Sequence, residues 1–249
     1  MKIYALMENI SHDECLACEH GLSLYIEADG KKILFDTGAS ENFAANAEKM
    51  GVDLKAVDFA AISHGHYDHG GGLAKFIEIN DHAPIYISNK GFNQYYSGTD
   101  FNVSIPEGLE GNPRFVLTSE PIKLSENITL LNCNDREAKY FADPYGLNKL
   151  VDGEFIPDDF LHEQYLIIEE NGKRIVISGC SHKGILNIME WLKPDILIGG
   201  FHFFRLTTEG EDAATLDKSA AILNEYGATY YTCHCTGTEQ YEYLKAQMP

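Results

Sequence analysis

The chain has 249 residues, 44% of them hydrophobic, with Lys+Arg 19 against Asp+Glu 38 and a formal charge of −19. An acid excess of that size argues against a protein that reads a nucleic-acid backbone, which needs a basic face. It leaves room for a small anionic substrate, because a metal can supply local positive charge. No apolar run approaches transmembrane length, and residues 1–10, MKIYALMENI, meet polar groups too soon for a signal peptide. The expectation is a cytoplasmic chain, one domain over 1–249, with its six cysteines reduced.

Hydrophobic patterning predicts strands at 3–7, 22–28 and 31–38, the last two joined by Asp29-Gly30, a hairpin-turn signal. Residues 41–51 read as a helix closed by glycine. A short apolar strand, 58–66, runs into a cluster of polar residues, followed by a helix at 71–80 and a strand at 83–88. Residues 89–113, rich in Gly, Asn, Ser and Tyr, read as an irregular excursion. Strands follow at 114–118 and 128–132, then a second long loop over 134–160. Loops of this length in a compact domain are often functional.

The second half alternates more regularly. Residues 163–179 are two strands around Asn171-Gly172, a strong hairpin signal. Helices are expected at 183–193, 212–227 and 236–248, with strands at 195–200 and 228–234. In each half, hairpins precede strand–helix alternation. That order predicts an α/β fold: a four-layer αββα sandwich of two mixed sheets with helices outside.

The stretch AISHGHYDHGGGL, residues 61–73, places His64, His66, Asp68 and His69 within six positions. Glycines and crowded imidazoles make neither a core nor a stable helix. On extended backbone His64 and His66 point to the same side, and Asp68 and His69 follow in a glycine-bounded turn. One ion could take the first pair and a second ion the other. Imidazole with carboxylate suits zinc, and also manganese or iron.

That stretch, with LFDTG upstream, resembles the metallo-β-lactamase superfamily, whose H-x-H-x-D-H signature His64, His66, Asp68 and His69 match position by position. The resemblance implies the αββα sandwich, two divalent metal ions at the edge of the two sheets, and hydrolysis by a metal-bound hydroxide. It implies that Asp36 braces the ligand loop without binding metal. Cys180 stands where the family places a bridging aspartate. For the third histidine of the first ion, His182 is preferred over His162 and His82, with Cys180 kept as a rival ligand at this motif. His234, in YYTCHCTG, matches the last ligand. The stretches EHGLSLYIE, GCSHKGILNI, IGGFHFF and HCTG are similar to one branch of the superfamily. That branch resembles the 7,8-dihydropterin-6-ylmethyl-4-(β-D-ribofuranosyl)aminobenzene 5′-phosphate synthase.

Other residues are more open. His202 ends a predicted strand beside two glycines; it is either a core histidine bonded to backbone or a site histidine, catalytic and substrate-facing or a metal ligand. His20 reads as a rim residue, and Cys15 and Cys18 as two thiols in a loop. Cys233 and Cys235 alternate with His234 and so are expected to point away from its side and pack. Phe92, Tyr95 and Tyr96 are expected to form an aromatic wall over the site. Asp68 is also a candidate proton shuttle. The leading expectation is a metal-dependent hydrolase of a small polar substrate, phosphorylated or ring-containing, with no nucleic-acid or membrane partner. The alternatives are a dihydropterin-linked condensing enzyme and a metal-dependent binding protein without turnover.

Overall fold

The computed structural model describes residues 1–248. Its first six-stranded sheet runs, in spatial order, Lys2–Met7, Ser23–Ala28, Lys31–Phe35, Phe59–Ala61, Ile85–Ser88, Phe115–Thr118. The first three strands pair antiparallel and the rest parallel. The second sheet runs Thr229–Thr232, Ile196–Gly199, Lys173–Ile177, Tyr165–Glu170, Ile128–Leu131, Ile122–Lys123. It is mixed in the same way: parallel across the first three strands, antiparallel across the rest.

The two sheets face each other across a core that includes Ile26, Ile33 and Phe35 on one side and Leu130, Leu166 and Ile177 on the other. The helices Asn42–Lys49 and Leu73–Ile79 cover the outer face of the first sheet through Phe43, Leu73 and Phe76. The helices Ile185–Leu192, Gly210–Glu225 and Thr238–Lys245 cover the second through Ile188, Leu216 and Leu244. This is the four-layer sandwich the element order predicted. No helix among the described residues is long and apolar enough to cross a membrane.

Both expected hairpins form because their turn residues adopt the left-handed conformation that a two-residue turn of this type requires. Asp29 and Gly30 have φ of 51° and 69°, Asn171 and Gly172 of 54° and 73°.

The two long segments expected to be loops are ordered differently. Tyr95–Ser97 pairs with Leu147–Val151, which also pairs with Glu154–Pro157, while Phe101–Asn102 closes onto Tyr95–Ser97. The result is a third, four-stranded antiparallel sheet with its own small core of Tyr95, Val103, Leu147 and Phe160. Its outer hairpin turns at Asp152-Gly153, with φ of 51° and 85°.

The expected strand over 58–66 is also shorter. It stops at Ala61. Residues 65–67 then bond to 103–105 of the third-sheet segment, through Tyr67 N–H to Val103 O and Ile105 N–H to Gly65 O. Tyr67–Gly70 is a short helix ahead of Leu73–Ile79.

Candidate metal centre

The site lies at the carboxyl ends of the parallel strands of both facing sheets, where ligands of open α/β sheets collect. The 61–73 loop leaves the first sheet there. From the second sheet come Cys180 and His182 after Lys173–Ile177, His202 after Ile196–Gly199, and His234 after Thr229–Thr232. The backbone folds tightly to achieve this. A Cβ on Gly71 would stand 2.2 Å from Ala39 O, so only glycine lets the loop approach the turn after Phe35.

Two sets of buried donors converge. His64, His66 and His182 form one; Asp68, His69, Cys180 and His234 form the other. His64 Nε2 lies 3.3 Å from His182 Nε2. His69 Nε2 lies 3.2 Å from His234 Nε2 and 3.1 Å from Cys180 Sγ. Asp68 Oδ2 lies 3.2 Å from His234 Nε2. Donors each about 2 Å from one ion at tetrahedral angles stand roughly 3.3 Å apart, so these spacings suit a shared cation. His66 Nε2 and His182 Nδ1 are buried with no partner among the described residues. An orphaned buried group of this kind costs about 1–3 kcal/mol; a cation would satisfy His66 Nε2, whereas the His182 nitrogen that faces His64 is Nε2 and not the orphaned Nδ1. Two further groups overlap these, Cys180 with His182 and His202, and His66 with Asp158 and His162, so the two rivals at this motif are not exclusive.

A buried outer layer sets the tautomers. Asp36 is fully buried with φ of 61°. Its carboxylate accepts from Ser63 N–H at 2.6 Å, Ser63 Oγ–H at 2.7 Å and His69 Nδ1–H at 2.7 Å. Ser63 Oγ, spent as a donor on Asp36, accepts from His64 Nδ1–H at 2.8 Å. His234 Nδ1–H donates to Asn9 Oδ1 at 2.7 Å. In all three rings the proton sits on Nδ1 and the Nε2 lone pair faces the cluster, as metal ligation requires.

Two further braces had no counterpart in the sequence reading. His162 Nδ1 accepts from Gly65 N–H at 2.8 Å and its Nε2–H donates to Asp158 at 3.0 Å, fixing the turn between His64 and His66. The Asp158–His162 spacing of four was the available signal; its target lies 97 residues away. Buried Glu163 accepts from the N–H groups of His182 and Lys183 at 2.7 and 3.0 Å. His162 therefore braces the loop, and His82 is at the surface.

Electrostatics keep His64, His66 and His182 ready as donors, while His69 is biased towards its charged form. Burial, reinforced by neighbouring imidazoles, holds the His64 and His182 pKa values well below the ordinary range and pushes His66 down to about 3. They are neutral, the form that binds a cation. Burial opposes the Asp68 charge, yet His69, His20 and His234 hold its carboxyl well below the usual carboxylate range. Burial also opposes charge on His69, but Asp68 and Asp36 together hold it above the ordinary histidine value.

His20 is on the rim, half exposed, with Nε2 at 3.3 Å from Asp68 Oδ2. His202 is buried, but not as a core histidine bonded to backbone: neither ring nitrogen has a partner among the described residues. The expected aromatic wall is wrong in its members. Phe92 packs on Phe115 within the first helix–sheet core, and Tyr96 packs on Phe155. Tyr95 is buried behind the cluster against His162, rings 4.0 Å apart. The cavity over the cluster, about 200 Å³, is instead walled by Phe101, Val103, Leu147, Phe204 and Arg205. Nor do Cys233 and Cys235 alternate with His234. The strand ends at Thr232, residues 234–236 form a helical turn, and Cys235 Sγ points at Cys180 O at 3.4 Å.

A family model described as the metallo-beta-lactamase superfamily matches residues 17–216. The chain is 31% identical to the 7,8-dihydropterin-6-methyl-4-(beta-D-ribofuranosyl)-aminobenzene-5′-phosphate synthase of Methanocaldococcus jannaschii, over 95% of this chain and 88% of that protein. It is 29% identical to an uncharacterised protein of the same organism, over 94% and 90%. The crystal structure of Tm1679, described as a metal-dependent hydrolase of the beta-lactamase superfamily, aligns with a TM-score of 0.80 at 28% identity, covering 98% of this chain and 92% of that one.

Proposed function

This chain belongs to the metallo-beta-lactamase superfamily, and on that premise we propose that it is a metal-dependent hydrolase of a small polar substrate. We assign His64, His66 and His182 to a first divalent ion and Asp68, His69 and His234 to a second, with Cys180 in reach of the second. Zinc is the best match to this donor set, ahead of manganese and iron. Bound there, the ions would bring the pKa of water from about 15.7 to about 7 and polarise the bond to be broken.

The chain's own groups supply the rest. Asp36 and Asn9 hold the imidazoles in the tautomer that leaves Nε2 free. The walls around the 200 Å³ cavity limit its water. Asp68 accepts a proton and passes it to His20 at 3.3 Å, whose half-exposed ring leads to solvent. Arg205, held by Tyr145 O and stacked over Phe204, positions an anionic oxygen of the substrate at the rim.

The observation that carries this reading is the pair of adjacent buried donor sets, with the outer hydrogen bonds of His64, His69 and His234 already made. Protein purified without added metal is expected to hold two transition-metal ions per chain. It is expected to hydrolyse at least one activated ester, lactone or phosphodiester, and to stop when chelated. Only trace metal after reconstitution would sink the proposal.

A second reading has its own support. The end-to-end similarity to a protein named as a synthase favours condensation of a dihydropterin diphosphate with a ribosylaminobenzene phosphate, with loss of diphosphate. A coupled product formed faster than either compound is hydrolysed would replace the hydrolase assignment.

A further inference from the structure

A second cavity, about 430 Å³, opens beside the cluster between the helices Ile185–Leu192 and Gly210–Glu225 and the segment 140–145. Its size suits a small organic ligand. It shares His182 and His202 with the 200 Å³ cavity over the donor sets, so the two are neighbours through these rings. Aromatic and aliphatic side chains dominate its lining, among them Phe141, Tyr145, Ile185, Leu186 and Phe203.

The polar lining is mostly spent. Ser181 Oγ bonds Ser178 Oγ at 2.8 Å. Thr215 Oγ1 donates to Glu211 O at 3.1 Å, and Ser219 Oγ to Thr215 O at 2.8 Å. At the rim one cation, Lys218, stands opposite one carboxylate, Asp143, so the cavity has no strong net charge. What remains buried and without a partner among the described residues is His182 Nδ1 and, with both nitrogens, His202. The His202 ring lies 4.3 Å from that of His182, 5.6 Å from Tyr145 and 5.3 Å from Phe204.

The backbone is built to put it there. His202 has φ of 57°, a conformation that non-glycine residues keep only where their surroundings impose it, and often at functional sites. The two preceding glycines allow it. A Cβ on Gly199 would meet Ser178 O at 2.1 Å and one on Gly200 would meet Cys235 Sγ at 2.2 Å. The strand end is thus wedged between the other two arms of the site, and the histidine turns into the cavity.

We propose that this cavity binds an uncharged aromatic ring carrying one hydrogen-bonding group, and that His202 is the residue that anchors it beside the metal centre. A neutral imidazole offers one donor and one acceptor, and the aromatic lining accepts a flat ring. The inference rests on the hydrolytic reading only in treating the ring as part of the substrate.

The probe is 2-naphthol, a neutral bicycle with one hydroxyl, titrated by fluorescence against the metal-loaded protein. His202→Phe keeps a ring but removes both nitrogens; Ala214→Trp fills the cavity from the helix Gly210–Glu225. Each is expected to raise the dissociation constant at least tenfold, with metal content unchanged. Wild type that does not bind, or variants that bind as wild type does, overturn the proposal. So does loss of an ion from His202→Phe, which would make His202 a ligand within reach of Cys180 and His182. Should His202→Phe not fold, Ala214→Trp and His202→Gln decide the matter. Binding without any hydrolysis would leave this inference standing and remove the hydrolase; hydrolysis without binding would do the reverse.

Discussion

The two halves of the chain deliver their candidate metal donors by different means. The first half places four in one loop, held by side-chain hydrogen bonds from its own Asp36 and Ser63 and from the Asp158–His162 pair further along the chain. The second half delivers them from separate strand ends, Cys180 and His182 after Lys173–Ile177 and His234 after Thr229–Thr232. There the backbone does much of the holding: Ser181, His202 and His234 all have positive φ, at 60°, 57° and 49°. One loop therefore serves both donor sets at once, while each later residue serves one. Damage to the loop should be shared by both ions, and damage to a strand end should be local.

The sharpest break is a loop ligand against a strand-end ligand. His66→Ala is expected to abolish activity and to leave the first ion unbound and the second weakened. His234→Ala should remove the second ion and spare the first. Elemental analysis that finds the same stoichiometry in both variants would erase the distinction.

Next comes Asp36→Ala, which frees Ser63 N–H, Ser63 Oγ and His69 Nδ1 in a fully buried place. Losses of about 10–100-fold in affinity are typical of outer partners, and here both ions should show them in competition with a chelator. Thermal melting should also report about 2–4 kcal/mol of lost stability, since several buried groups lose one shared acceptor.

Gly200→Ala tests the backbone-held side. Its Cβ would meet Cys235 Sγ at 2.2 Å, and overpacking of that kind costs about 1–3 kcal/mol. The second ion should weaken more than the first. In cobalt-substituted protein, a thiolate band that vanishes in Cys180→Ser would place that sulfur on the second ion. Asn9→Ala is the mildest change, removing one neutral partner of His234, and should cost the second ion less than tenfold.

The same contrast explains what could be read from the sequence. Four donors in six positions are a local pattern, and so are hairpins at Asp29-Gly30 and Asn171-Gly172. His182 and His234 could be nominated because strand ends are where such sites form, and the structure brings both to the donor cluster. The third sheet was missed because its strands run two to five residues through polar segments. Leu147–Val151 finds its partner Tyr95–Ser97 some fifty residues back, beyond any local pattern. Asp152-Gly153 was the one local clue. Phe92, Tyr95 and Tyr96 show the cost of reading a loop by composition: the residue types suited a wall, but strand pairing placed Tyr95 and Tyr96 elsewhere and Phe92 packs on Phe115 from a turn.

The ligand loop and the third sheet are joined by backbone, since residues 65–67 bond to 103–105 and His66 bridges Ser104. The cover over the cavity is thus a mechanical extension of the loop that carries the candidate ligands, and stiffening one stiffens the other. Amide exchange at Val103 and Ile105 should slow when the ions bind, although neither residue touches them. The same joint constrains descent with modification. Length can change at the turns 98–100 and 152–153 without disturbing the ladder, so new substrate preferences are most easily acquired at those tips.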